Sequence, residues 1–358
     1  MKTADFDYAL PPELIAQTPV EPRDASRLMV VDRRTGDIIH RHFSDLPEFL
    51  RPGDLLVHNE SRVIPARLFA RKPTGGRVEI LLLRQRADDT WETLVRGRHI
   101  RAGTRLTLLD SPDGHPSGAE AEVIEAGERG MRVLAFDRPV LPLAEKVGVM
   151  PLPPYIHVPL ENATRYQTIY AHTPGSAAAP TAGLHFTPEL LHRLQEMDIR
   201  SAFVTLHIGL DTFRPVSEER VEDHRMHTEY CRLAPEVARQ VNQAKLAGQR
   251  VIPVGTTSVR VLETAASKSQ KPLGFRKTPR VHPSHTVQPF EGATDLFIYP
   301  GYDFRLVDAL ITNFHLPRST LLMLVAAFAG KELLDRAYAE AIRLRYRFYS
   351  FGDAMLVL

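Results

Sequence analysis

The chain of 358 residues carries 45 Lys and Arg against 43 Asp and Glu, with 43% hydrophobic residues and one cysteine, Cys231. It is long enough for about two domains and a full core, and its near-balance of charge excludes a globally basic nucleic-acid coat protein, leaving any RNA contact to a local patch. The single cysteine excludes an intramolecular disulfide framework and a cysteine-built zinc site, and fits a reducing cytosol.

The amino terminus, "MKTADFDYALPPELIAQ", has early acids and no apolar run, so it lacks a secretory pattern and a cytoplasmic protein is expected. "RPGDLLVHN" at 51–59 reads as a Pro-Gly turn feeding a buried strand. From residue 67 the texture changes to short strands at close spacing, "VEILLLR", "TWETLVR", "TRLTLL", "AEAEVIEAG" and "MRVLAFD", separated by Gly, Asp and Ser turns. Such spacing predicts a small antiparallel barrel or sandwich. After 150 helices and strands alternate. Thr187, Pro188 and Glu189 cap a helix whose Leu190, Leu191, Leu194 and Met197 share one face, followed by the strand "SAFVTLHIG", the helix "APEVARQVNQAKLAG", the strand "RVIPV" and the helical "GTTSVRVLETAAS". "STLLMLVAAFAG" at 319–330 is about half as long as a membrane span requires and reads as a buried helix. The predicted architecture is α/β: a discontinuous main domain of residues 1–66 and 151–358, interrupted by an inserted β-barrel domain at 67–150.

Charge is uneven along the chain. Between 62 and 105 eleven Lys or Arg, among them Arg96, Arg98, Arg101 and Arg105, face four acids, whereas 110–128 holds six acids and no base. A second basic stretch, "SKSQKPLGFRKTPRVHPSH" at 267–285, has no acid. Both stretches read either as solvated faces or as phosphate-binding surfaces for RNA.

Polar chemistry collects where an α/β sheet places ligands, at strand ends and helix starts. Asn59, Arg62 and Arg67 follow the first buried strand; Arg suits carboxylate or phosphate through its planar fork, although Arg67 equally suits a tie between barrel and sheet. Thr256 and Thr257 open a helix whose free N–H groups favour an anionic or polar ligand, with Arg260 one turn on. His224, His227 and Glu229 in "HRMHTEY" suggest a metal at first glance, but the i to i+3 spacing is not that of zincins, and an acid/base or hydrogen-bonding pair fits better. Asn313 and His315 sit between two apolar runs and need partners, structural or ligand. The run "GSAAAPTAGLHFT" at 175–187 places Thr181, His185 and Phe186 after a stretch of small residues that lets backbone approach a ligand closely. No G-x-G-x-x-G follows a strand and no G-x-S-x-G elbow exists, which removes the main support for dinucleotide oxidoreductases and α/β-hydrolases.

Taken together, the runs "YALPPELIAQTPVEPRDASRLMVVDR", "GDLLVHNESRVIPARL", "LPLPPYI", "RYQTIYAHTPGSAAAPTAGLHFT", "HIGLDTFRPV", "MHTEY", "GTTSVRVLE" and "FIYPGYDFRLVDALITNFHLPRSTLLMLVAAFAG" resemble the S-adenosylmethionine:tRNA ribosyltransferase-isomerase family of queuosine biosynthesis. The resemblance extends from about residue 8 to 330 in the family's order. Departures are Ala177, where the family usually has Val, Asp211, where Gly is usual, and a long loop at 267–291.

The resemblance implies that S-adenosylmethionine gives up its ribosyl group to the aminomethyl nitrogen of 7-aminomethyl-7-deazaguanine in a tRNA anticodon. Adenine and methionine leave, and epoxyqueuosine remains in the tRNA. It also implies a monomer with no prosthetic group, no metal and no membrane. The sulfonium acidifies the adjoining C–H bond, so a positioned base forms an ylide and drives loss of adenine. His185 or His227 is expected to supply that base, with Glu229 orienting it or sharing the proton. Arg62 or Arg260 is expected to hold the methionine carboxylate, Asn59, Thr181, Asn313 and His315 the ribose or base edges, and Phe186 and Phe213 the sulfonium. Arg96, Arg98, Arg101 and Arg105 are expected to meet tRNA phosphates. Two other classes compete: a histidine-based metallohydrolase acting on a nucleotide or RNA, and a non-catalytic RNA-binding module.

Overall fold

The computed structural model describes residues 1–209, 215–269 and 286–358. In chain order, β1 (Arg27–Val31), β2 (Ile38–His42) and β3 (Leu55–Asn59) come first, and β4 (Ser61–Val63) leads out of β3. Six strands follow: β5 (Arg67–Arg71), β6 (Arg77–Ala87), β7 (Thr90–Arg96), β8 (Arg105–Leu109), β9 (Pro116–Ala126) and β10 (Met131–Phe136), then helix α1 (Val140–Val147). β11 (Thr173–Ser176) returns to pair in parallel with β4. The remainder alternates: α2 (Pro188–Glu196), β12 (Arg200–Leu206), β13 (Glu229–Leu233), α3 (Pro235–Leu246), β14 (Val251–Val254), α4 (Thr256–Lys268), β15 (Phe290–Thr294), β16 (Leu310–Asn313), α5 (Thr320–Ala329), α6 (Lys331–Arg343) and β17 (Ala354–Val357).

Nine strands from both ends of the chain form one mixed sheet in the order β15-β13-β12-β3-β14-β16-β17-β1-β2. Its centre, β12, β3, β14 and β16, is parallel; β17 runs against β16 and with β1, and the outer strands β13, β15 and β2 pair antiparallel. Parallel strands are buried on both faces, which is why β3, β14, β16 and β17 read as short runs of wholly buried residues. Successive side chains point to opposite faces. Met29, Val31, Leu310, Met355 and Val357 therefore meet α5 and α6, while their neighbours Leu28, Val30, Ile311, Ala354 and Leu356 meet Phe43, Leu46 and α2 on the other side. α3 and α4 cover the first face further along, over Leu55, Val57, Val204 and Val251.

The strand directions bring the carboxyl ends of β12, β3, β14 and β16 together with the amino ends of β17 and β1. Asn59, His207, Gly255, Asn313, Ser350 and Ser26 thus arrive at one end of the sheet, the usual ligand end of an open α/β sheet.

β5 to β10 close into an antiparallel barrel, in the order β10-β7-β6-β5-β8-β9. The alternation in β7, where Trp91, Thr93 and Val95 are buried between less buried neighbours, fills its interior. α1 packs Val140, Leu143, Ala144 and Val147 into the same core. The predicted barrel is therefore real, and it contains β5, which no apolar run had marked. Arg67 and Val149 exchange backbone hydrogen bonds of 3.2 and 2.9 Å, so the chain enters and leaves the barrel region side by side.

Candidate active site

At the carboxyl end of β14, Gly255 adopts φ 89, a left-handed conformation that favours glycine, and turns the chain directly into α4. This turn sets Thr256 and Thr257 into a cleft with Ala179, Thr181, Ile208, Thr312, Asn313 and His315. A neighbouring hollow shares Thr181, Asn313 and His315 and adds Tyr155, Tyr349 and Ser350. Within the run 175–187 the lack of a side chain at Gly183 admits a protein group, since a Cβ there would stand 2.1 Å from the Tyr170 hydroxyl. The turn Thr181–His185 is a 3-10 helix, which leaves Thr181 on the cleft and His185 buried behind it.

His185 and Asn313 form one hydrogen-bonded unit. The Asn313 amide nitrogen lies 3.1 Å from the Tyr349 carbonyl, which can only accept, so that atom must be the donor. The same nitrogen lies 3.3 Å from His185 Nε2, which therefore accepts, leaving the proton on Nδ1 to be donated to Ser26 Oγ at 2.7 Å. Burial first, then the nearby Arg347 and Arg23, push His185 down to about 3, against the opposing pull of Asn313. The ring is neutral, of fixed tautomer, and stacked on Phe43 at 5.0 Å. Asn313 Oδ1 is buried with no hydrogen-bond partner among the described residues, and Thr257 Oγ1 likewise. Two such polar atoms on a cleft wall suit a polar ligand.

His315 is also buried and neutral, lowered to about 3 by desolvation. Its Nε2 lies 2.8 Å from Thr312 Oγ1, its N–H donates to Tyr338, and its carbonyl accepts from Tyr8.

A second cluster lies across α4. Arg260 donates to Glu229, and both side chains are almost wholly buried. Glu229 Oε1 also accepts from the Gly209 N–H at 2.9 Å and lies 3.2 Å from His227 Nε2. Burial alone would raise the Glu229 carboxyl, but the Arg260 charge, the His227 contact and the Gly209 N–H together bring it down to about 2. Glu229 is thus a fixed anion that orients His227. Both line a cleft of about 1130 Å³ between the main sheet and the barrel hairpin, with His207, Tyr230, Arg84 and Arg86 on its walls. His207 stacks on Tyr230 with ring centres 5.4 Å apart.

A comparison with family models matches residues 3–357 to the family described as queuosine biosynthesis protein. The chain belongs to that family. Curated relatives named S-adenosylmethionine:tRNA ribosyltransferase-isomerase include one from Symbiobacterium thermophilum, 54% identical with 100% of both chains covered, and one from Thermus thermophilus, 55% identical over 99% of this chain and 98% of its own. The crystal structure of an S-adenosylmethionine tRNA ribosyltransferase from Thermotoga maritima is similar with a TM-score of 0.54 and 42% identity, covering 99% of this chain and 100% of that one.

Of the family positions expected from sequence, Thr181, Thr256, Thr257, Asn313 and His315 come together on one cleft, with His185 behind Asn313. His227 and Glu229 meet on the other. Several positions are occupied elsewhere. Asn59 is wholly buried and donates to Leu206 O while accepting from the N–H of Ser61 and Leu206, so it clamps a strand end. Arg62 is exposed and paired with Glu145 at 2.9 Å. Arg67 pairs with Glu79 at 3.4 Å within the barrel. Arg260 donates to Glu229 and to Leu296 O, while its Nη2 is buried with no partner among the described residues. Phe186 packs into the core against Phe43 and His58 rather than toward the cleft. Phe213, Asp211 and most of the basic stretch 267–285 lie outside the described residues.

Arg96, Arg98, Arg101 and Arg105 are exposed on the barrel, Arg105 standing 3.8 Å from Glu122. Arg96 sits at the far end of the β6–β7 ladder from the hairpin that borders the large cleft, about 20 Å away at the rise of a strand. His224 turns to Glu218 at 2.9 Å while His227 turns to Glu229, so the two histidines serve different carboxylates. Among the described residues no group of three or more His, Cys, Asp or Glu is placed to hold a metal ion.

Sequence reading did not single out Ser26, His207, Tyr349 or Ser350. Ser26 and His207 lie inside runs that carry the family resemblance, but nothing local marks them. Ser26 and His185 are 159 positions apart, and only the sheet joins them.

Proposed function

We propose that the chain transfers and isomerises the ribosyl group of S-adenosylmethionine onto the aminomethyl nitrogen of 7-aminomethyl-7-deazaguanine in tRNA, giving epoxyqueuosine-tRNA, adenine and methionine. The observation that carries this reading is the match to the queuosine family over residues 3–357, with full-length relatives above half identity named for that activity. The cleft at the carboxyl ends of the central strands supports it, because its unpaired Asn313 Oδ1 and Thr257 Oγ1 suit the polar edges of a nucleoside.

In this reading the two histidines divide the labour. A base whose conjugate acid lies near 3 accepts protons poorly at neutral pH, and both ring nitrogens of His185 are already engaged. His185 therefore holds Asn313 against the substrate. His227, on a cleft wall and oriented by a carboxylate fixed by Arg260, has the arrangement of a base and its orienter. It takes the proton next to the sulfonium, adenine departs with the electron pair of its glycosidic bond and picks up a proton, the acceptor amine bonds to the ribosyl skeleton and gives up a proton, and methionine departs with the electron pair of its C–S bond. His207 and Tyr230 offer a stacking face to a base swung out of the anticodon.

No step calls on a metal, and the chain is read as a cytoplasmic monomer. Among the described residues no helix is long and apolar enough to cross a membrane. Incubation with S-adenosylmethionine and tRNA carrying the aminomethyl-deazaguanine should release adenine and methionine, with or without chelator. Absence of adenine from well-folded protein would overturn the assignment.

A further inference from the structure

We propose that His207 binds the aminomethyl group of the acceptor base, its Nε2 accepting a hydrogen bond from the nitrogen that will be modified. The proposal rests on the reading above, and it gives the large cleft a means of telling the modified base from guanine.

The tautomer of His207 follows from the strand-end clamp beneath it. Ser61 is wholly buried, and its Oγ lies 2.7 Å from Leu206 O, which can only accept, so the hydroxyl proton is committed there. The same Oγ lies 3.4 Å from His207 Nδ1. With its own proton spent, Oγ accepts, so Nδ1 carries the ring proton and Nε2 keeps a bare lone pair. Asn59 locks the clamp, donating to Leu206 O at 3.0 Å and accepting from the Ser61 N–H at 3.1 Å. Burial lowers the ring to about 4, so it is neutral at pH 7. Among the described residues Nε2 makes no hydrogen bond.

Gly175 keeps that lone pair uncovered. It adopts φ 134, in the left-handed region, and a Cβ on it would stand 2.8 Å from Nε2. Any other residue there would lay its side chain over the acceptor. Both residues line the large cleft, and the ring is steadied from one face by Tyr230, whose hydroxyl donates to Glu291 at 2.9 Å.

The acceptor stands beside the chemistry. Gly209 follows His207 by two positions, at most about 7 Å along the chain. A Cβ on Gly209 would lie 3.8 Å from the His227 ring. A nitrogen held on His207 is therefore within reach of the carbon skeleton from which His227 takes a proton. The pairing edge of the base also carries N–H donors, but it lies across the ring from the aminomethyl substituent, and bond formation requires the substituent beside His227. Both the ammonium and the free amine have an N–H to donate. A ring with a pKa of about 4 takes up no amine proton at neutral pH, so His207 orients the nucleophile and leaves it intact.

The test measures binding of the full-length wild-type protein, without S-adenosylmethionine so that no turnover occurs. The probes are tRNA carrying the aminomethyl-deazaguanine and the same tRNA carrying guanine at that position. The wild type should bind the modified tRNA about 10- to 100-fold more tightly, the range for one hydrogen bond with a charged donor. His207→Phe keeps a ring on Tyr230 but removes the acceptor, and should bring the two affinities together. His207→Gln, whose amide oxygen accepts, should keep a preference. Equal affinities on the wild type overturn the proposal without any variant, and so does a preference that survives His207→Phe. A His207→Phe loss shared equally by both tRNAs would assign Nε2 to the pairing edge, and a preference lost alike in both variants would leave the ring a role in shape alone; either overturns it. Wild type that releases no adenine from S-adenosylmethionine overturns the parent reading instead, on a separate assay.

Discussion

His185 and His227 are the same residue type in the same half of the chain, and their surroundings give them opposite chemistry. His185 has a fixed tautomer set by Asn313 and Ser26 and is kept neutral by burial. His227 stands on a cleft wall against an ionised carboxylate. His227→Ala should therefore lower the rate of adenine release by about 10²- to 10⁴-fold, the range for loss of a general base. His185→Ala should act mainly through KM, because it releases Asn313. Steady-state adenine assays at saturating tRNA separate the two, and near wild-type rates in both variants would remove both from the mechanism. Glu229→Gln carries a different expectation. It leaves the Arg260 charge buried without its counter-ion, which costs about 3–5 kcal/mol in comparable buried pairs. Urea unfolding should show a correspondingly lower midpoint with an unchanged slope.

Single elements were legible where local chemistry decides. The Thr187 hydroxyl accepts from the Leu190 N–H at 3.1 Å, so the predicted cap of α2 is present, and Leu190 and Leu194 of the predicted face are buried. The barrel strands were legible from alternation, except β5, whose "RLFAR" is too short and too basic to stand out. Two predictions belong to this scale. Because Arg67 and Val149 pair side by side, dividing the chain at 66/67 and 150/151 is a proposal with a direct test. Replacing 67–150 by a short Gly-Ser link should leave a cooperatively folding remainder, followed by circular dichroism; loss of cooperative melting would mean that barrel and sheet fold as one unit. The exposed arginines of the barrel give the second. Joint charge reversal at Arg98 and Arg101 should weaken tRNA binding and reduce the slope of log affinity against log salt by about two. An unchanged slope would take these residues out of the tRNA surface.

At the scale of the whole molecule, the sheet buries several histidines in neutral form. His58, His185 and His315 are lowered to about 3 and His207 to about 4, burial being the leading cause in each. Their ordinary value is near 6.5. Below that pH the unfolded chain takes up protons that the folded chain refuses, so stability falls as pH drops from 6.5 toward 3–4. Each group contributes up to about 1.4 kcal/mol per pH unit. Glu229 adds in the same direction at lower pH: its depressed carboxyl stabilises the fold above its ordinary value of 4.5, and that contribution is lost as pH falls toward 2. Denaturant titrations should therefore show proton uptake on unfolding that rises from about one near pH 7 to about four near pH 5; fewer than two near pH 5 would mean that these rings are not buried neutral. Stability should change little between pH 7 and 8 on their account.

The sequence by itself determined the elements, the α/β class, the barrel and the family, because caps, periodicities and long ordered runs are local properties of the chain. It also named most of the polar residues that line the cleft at the start of α4. Only the tertiary structure decided what each of them does. Ser26 and Tyr349, far from His185 and Asn313 in the chain, fix a tautomer and an amide orientation, and so leave both ring nitrogens of His185 engaged. Glu145 and Glu229 take up Arg62 and Arg260. Charge pairing and burial depend on distances across the fold, and no spacing along the chain encodes them.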